Sequence, residues 1–233
     1  NLEIDAERIG SAIRLLNINR HLILRNLTAR RSAVEGPNEF SGIEIVSCSN
    51  INVYNCNILE NNWGILFMTS SNCKIEHNYC ADNAIGVICY SPVNLTVSFN
   101  YCTRNYNGIH GQGHSRSSFI YNNTIIDNTQ GICLEDVAIY FDVRKNYISE
   151  CDVGISVIER PILRFSGYNQ IEENEINNNQ VGIEVSYSDR NFLRNNFINR
   201  NSIGIKLLES NYNSFSRNRF ENNIVDYEGI NSK

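Results

Sequence analysis

The chain has 233 residues, 42% of them hydrophobic and 19% charged, with a formal net charge of −5 at pH 7. That balance supports a buried core and argues against nucleic acid or an anionic membrane surface as the main partner. No stretch reaches the length of a membrane span, and no signal peptide opens the sequence, which begins at Asn1 as a processed product or a fragment would.

In chain order, residues 1–41 make one irregular coil with Ile13, Leu15, Leu22, Leu24 and Leu27 inward, followed by an excursion over 29–41. From there a beat takes over. Gly42, Gly64, Gly86, Gly108, Gly131, Gly154, Gly182 and Gly204 are each followed by Ile or Val, at spacings of 22, 22, 22, 23, 23, 28 and 22 residues. Eight residues before the next glycine of the series stand Cys56, Asn78, Asn100, Asn123, Asn146, Asn174 and Asn196, with Asn218 continuing the column; five residues further on stand Asn61, Asn83, Asn105, Asn128, Cys151, Asn179, Asn201 and Asn223. Apolar columns run in phase with them, such as Val53, Ile75, Val97, Ile120 and Val143. After Asn223 the pattern decays into a tail over 224–233.

A period of about 22 residues is too short for a helix pair, and β-branched residues at in-phase positions mark short strands. Inward positions run Ile43, Ile45, Ile51, Val53, position 56, Ile58, position 61 and Gly64. Steps of two are strand and steps of three are corners, so each coil is roughly triangular. Stacked coils put equivalent asparagines above one another, where their amides can pass hydrogen bonds along the stack. Glycine is expected at the third corner, through positive φ or close backbone approach. The expected fold is all-β, a single parallel β-helix domain over 1–233 with about nine coils.

The run Gly64-Ile-Leu-Phe to Asn78, the run Asn83-Ala-Ile-Gly86, and the opening Ile4-Asp-Ala with Leu22-Ile-Leu-Arg-Asn-Leu-Thr28 carry a resemblance. They resemble the right-handed parallel β-helix repeats of NosD-type surface or periplasmic proteins and of carbohydrate-binding proteins and sugar hydrolases. The resemblance covers nearly the whole chain and implies the fold, right-handedness and an extracellular, cell-surface or periplasmic location with its signal peptide removed. It implies a polysaccharide or surface glycan as partner. Activity does not follow from it, because scaffold columns carry the match.

The eight cysteines fall in scaffold columns, and Cys80 and Cys102 would stack with parallel Cβ vectors about 4.8 Å apart, which suits buried thiols better than a disulfide. No residue pattern names a cofactor.

Extra residues in the later repeats, above all around Glu159 to Tyr168, and the excursion over 29–41 both border the strand that opens Gly-Ile. The outward face of that strand is therefore the walled one. Two and four residues after each glycine it carries Glu44/Val46, Leu66/Met68, Ile88/Tyr90, His110/Gln112, Cys133/Glu135, Ser156/Ile158, Glu184/Ser186 and Lys206/Leu208. His110, His114, Glu135, Asp136 and Glu159 are the candidates for acid–base catalysis, and Tyr90, Gln112, Arg116, Arg160 and Glu184 for holding substrate. Three readings stay open here: a lyase, epimerase or hydrolase; a sugar groove that binds without reacting; and a solvated face on an inert scaffold. A glycosidase would pair Glu135 with Glu159. A NosD-like copper-accessory role is a further alternative. No metal site is assigned, since four histidines and one methionine suit copper poorly, and the glycines of Gly108-Ile-His-Gly-Gln-Gly-His114 leave the geometry of both histidines open.

Two outer rows complete the reading. Tyr79, Tyr101 and Tyr147 form an aromatic track that could stack on sugars or simply support the sheet. Trp63, Leu66, Val46, Met68 and Ile88 suggest an apolar patch for a homo-oligomer or an adjoining domain.

Overall fold

The computed structural model describes residues 2–32, 40–159, 161 and 167–232. They form a parallel β-helix of three sheets with ten, ten and nine strands, and every strand pairing is parallel between one coil and the next. The stack is one rung longer than the sequence pattern indicates, because 224–233 is not a decayed tail. Val225–Ile230 forms a strand in register with Ile203–Leu208, with Asp226 standing where a glycine stood in earlier coils.

The interior is what the columns require. Ile43, Ile45, Ile51, Val53, Ile58 and their equivalents in the middle coils are fully buried, those of the end coils such as Leu22, Leu24 and Phe220 only partly, and one hydrophobic cluster runs from Leu27 to Leu207. All eight cysteines are free and buried. Each ladder asparagine is satisfied on both sides. Asn100 Oδ1 accepts the Asn78 backbone N–H at 3.0 Å and Asn78 Nδ2 at 2.9 Å, while Asn100 Nδ2 donates to Ile75 O at 2.8 Å and to Asn123 Oδ1 at 3.0 Å. Polar atoms inside the coil are thereby paired, which removes the usual cost of burying them. A third, shorter asparagine ladder, Asn169, Asn191 and Asn213, serves the C-terminal half at the remaining corner.

At Cys151 a thiol stands where an oxygen would accept from Asn128, and sulfur is a weak acceptor. Cys151→Asn is therefore expected to stabilise the chain by about 1 kcal/mol. The urea midpoint should rise with an unchanged m value; a lower midpoint would mean the thiol is already the better fit.

The third corner does not use glycine. All three corners turn on non-glycine residues in the left-handed region, for example Ser47 (φ 53°), His77 (φ 57°) and Glu60 (φ 57°). Gly113 is the one glycine with positive φ among the described residues. The repeated glycines are there for close approach: a Cβ on Gly64 would sit 2.3 Å from the carbonyl oxygen of Gly86, and one on Gly108 2.6 Å from that of Gly131. They lie within a strand, and the strand bends there.

That bend changes the outer face. Side chains three apart on a flat strand point to opposite faces. Asn107 and His110, which flank Gly108, instead meet on the outside at 3.1 Å. The sheet is thus concave outward along the glycine line, and the row two residues after each glycine, outward by alternation, is nevertheless buried from Glu44 through Leu66, Ile88, His110 and Cys133 to Ser156, with Glu184 and Lys206 half-buried. Leu66 and Ile88 consequently leave the expected apolar patch, with Val46, Met68 and Trp63 half-buried.

Candidate functional site

The strands Asn107–His114 and Gln130–Ile139 are the longest in the glycine sheet, and their register shifts between Gln112 and His114. The shift is a β-bulge in which Gly113 has φ 75° and Asp136 and Val137 have φ 48° and 66°. A β-branched residue in that region is strained by about 1–3 kcal/mol, and such outliers concentrate at functional sites. Glu159 holds the bulge from the next coil: its Oε2 accepts the Val137 N–H at 2.9 Å, and the side chain is 2% exposed.

Beside the bulge, the structure brings together five of the expected residues. His110, 5% exposed, lies at the bottom of the concavity with Nε2 3.9 Å from Glu135 Oε1. Gln112 Nε2 donates to Asp136 Oδ2 at 3.2 Å. Tyr90, Gln112 and Glu135 occupy one register line across three adjacent coils, with Tyr90 exposed. Burial pushes the His110 pKa below its usual 6.5, against the pull of Glu135 and Asp136, which favours the neutral imidazole.

The other expected residues are placed apart from this group. His114 and Arg116 are exposed beyond the bulge, where the Arg116 backbone bridges to Val93. Glu184 stands three coils further along the His110 row, bonded by Ser186 Oγ at 3.0 Å and facing Lys206 Nζ at 3.5 Å. Arg160 lies outside the described residues. The outer aromatic track is present as the stacked pair Tyr79 and Tyr101, with centroids 5.7 Å apart.

Asn107 and Cys133 complete the site and were not singled out from the sequence. The position before the glycine reads Ser41, Trp63, Ile85, Asn107, Gln130, Val153, Val181 and Ile203, so its polar stretch at 107 and 130 was a visible signal. Gln130 acts similarly in the following coil, where its Oε1 accepts the Ser156 hydroxyl at 2.7 Å. Cys133 lies beside His110 in register, its thiol 3.6 Å from Glu135 Oε2, and burial followed by the Glu135 charge pushes its pKa far up. It is an unreactive thiol.

A family model described as periplasmic copper-binding protein (NosD) matches residues 4–160 and 113–232, nearly the full chain. The chain belongs to the NosD family. No curated protein sequence matches this NosD chain. Solved structures share its fold at low identity. The catalytic domain of an α-1,3-glucanase in complex with nigerose superposes with a TM-score of 0.74 at 15% identity, over 98% of this chain and 56% of that one. A periplasmic alginate epimerase gives 0.62 at 18%, over 93% and 59%. The A-module of an Azotobacter vinelandii mannuronan C-5 epimerase gives 0.57 at 9%, over 96% and 81%. The NosD chain thus spans little more than half of the glucanase domain and of the periplasmic epimerase.

The residues present do not fit the copper of the family's description. Among the described residues no three His, Cys, Asp or Glu side chains converge as a metal would need, and the thiols are buried in the stack. His110 is engaged by Asn107, and Met68 lies two coils away on the adjacent row.

Proposed function

We propose that the chain binds a polysaccharide along the concave glycine sheet and moves protons on it with His110, Glu135 and Asp136, as an epimerase or lyase does. The carrying observation is the buried imidazole 3.9 Å from a carboxylate, set beside a strained bulge. The groove runs parallel to the coil stack, whose rise of about 4.8 Å offers repeating contacts to a repeating ligand. Neighbouring β-helix enzymes act on polysaccharides, which supports the substrate class. The family and the periplasmic epimerase support a periplasmic or extracellular location.

Hydrolysis by the Glu135 and Glu159 pair is disfavoured because Glu159 is 2% exposed and its carboxylate supports the bulge through the Val137 amide. In the proposed reaction a base takes a proton from a ring carbon next to a sugar carboxylate, and the electron pair spreads into that carboxylate. Return of a proton to the other face gives the epimer. Loss of the neighbouring glycosidic oxygen instead gives a chain break and an unsaturated uronate. Arg116, exposed at the rim, is available to the substrate's carboxylates.

A glycan array, followed by epimerisation, unsaturated-uronate and reducing-end assays on the bound glycans, tests this. Turnover without ultraviolet-absorbing product or with it is expected, falling about 10²–10⁴-fold in His110→Ala and Glu135→Gln. Binding with no turnover would reduce the protein to a sugar-binding module. New reducing ends without unsaturation would point to hydrolysis, and absence of glycan binding would overturn the reading.

A further inference from the structure

We propose that Asn107 is a positioning residue that fixes His110 as the tautomer carrying its proton on Nε2, so that His110 serves as a hydrogen-bond donor and the carboxylates of Glu135 and Asp136 take the proton. The assignment of roles rests on the proton-transfer reading above; the tautomer does not.

The geometry carries it from two sides. Asn107 Nδ2, which can only donate, lies 3.1 Å from Nδ1 of His110, so Nδ1 must present its lone pair. A neutral ring then carries its hydrogen on Nε2. On that side Glu135 Oε1 lies 3.9 Å away, and a carboxylate draws the hydrogen to the nitrogen facing it. Turning the amide over would put Oδ1 on Nδ1 and strip the proton from the nitrogen next to the carboxylate, which is electrostatically the worse arrangement. Glu135, Asp136 and Cys133 are the titratable groups on the following strand, while the preceding strand faces His110 with Ile88. Both Asn107 and His110 are about 95% buried, so water competes little for either ring nitrogen. The remaining Asn107 oxygen is buried with no hydrogen-bond partner among the described residues.

The role follows from the tautomer. A neutral imidazole holding its proton at Nε2 is a poor base but a good electrophile. It can stabilise negative charge developing on a sugar carboxylate without giving up its proton. The carboxylate of Glu135 receives the carbon-bound proton; for epimerisation solvent water delivers a proton to the opposite face while Glu135 releases its own to solvent, and for elimination Glu135 passes its proton to the departing glycosidic oxygen.

Long-range 1H–15N correlation spectra of protein labelled at histidine nitrogen decide the matter, with His110→Gln identifying the His110 signals. The expected result between pH 6.5 and 8 is a pyridine-type Nδ1 and a pyrrole-type Nε2. A pyrrole-type Nδ1, or two averaged nitrogens, would overturn the proposal on the wild-type protein alone. Asn107→Asp keeps the side chain's shape, removes the donor and supplies an acceptor. It should move the proton to Nδ1, raise the His110 pKa, and lower kcat about 10²–10³-fold with little change in KM. An unchanged tautomer in that variant would show that Asn107 does not set it. Should no glycan be turned over, the proton-transfer reading falls while the tautomer assignment stands on the spectra.

Discussion

Asn100→Leu is expected to destabilise the fold by more than about 4 kcal/mol, a large fraction of the 5–15 kcal/mol typical of a folded domain. The reason is the number of partners left behind. Asn78 N and Nδ2 lose the Asn100 oxygen, and Ile75 O and Asn123 Oδ1 lose its amide. Each of these groups lies inside the stack, where an unsatisfied polar atom costs about 1–3 kcal/mol, while the isosteric apolar side chain restores only the packing. Because a solenoid contacts only its neighbours, the damage should be local in origin: hydrogen exchange should rise first in the coils around residue 100, and unfolding can split into two steps. A loss under about 1 kcal/mol in chemical denaturation would show that the ladder is dispensable. Cys56 and Cys151 do not contradict the prediction, since each replaces a rung with a side chain that can still meet the backbone, as Cys151 Sγ does with Ser149 O at 3.4 Å.

The second large effect belongs to the glycine line. Gly131→Val should destabilise by about 3 kcal/mol or more, at the upper end for overpacking. A Cβ there would lie 2.4 Å from Gly154 O and 2.7 Å from Ile148 Cγ2, and neither the carbonyl nor the core isoleucine can withdraw without separating two coils. Gly10→Ala is the control. Nothing lies within 4 Å of its Cβ, and its melting temperature should barely change. Gly131 lies on the strand that bears Glu135 and its clash is with the following coil, so the damage should begin on the side of that strand away from His110. A Gly131→Val protein as stable as wild type would refute the close-approach explanation for the glycine beat.

Much of the site was legible in the sequence, and what was not legible has a common cause. The register read from Gly108 correctly put His110, Gln112 and Glu135 on one outward face, because strand alternation depends only on residue count. It gave no warning that the face folds inward. The meeting of Asn107 and His110 comes from the bend at Gly108, and the bend comes from glycine backbones pressing on the next coil. Period-two counting cannot represent that. Likewise, the two extra residues of the Gln130–Ile139 strand look like a loop in the sequence; in the structure they are a bulge that stays in the sheet and sets Asp136 beside Gln112. Glu159 read as a partner for Glu135 one coil away; in the structure its carboxylate also accepts the Val137 amide, a contact that residue counting does not reveal.

By itself the sequence determined the stack: its period, its inward columns, its two long asparagine ladders and the strand that carries the candidate residues His110, Gln112 and Glu135. These are repeated, local constraints, and each coil states them again. Tertiary structure alone decided the concavity of the glycine sheet, the burial of His110, the αL corners and the strained bulge. Those depend on how one coil presses on the next, and a single repeat holds no record of that contact.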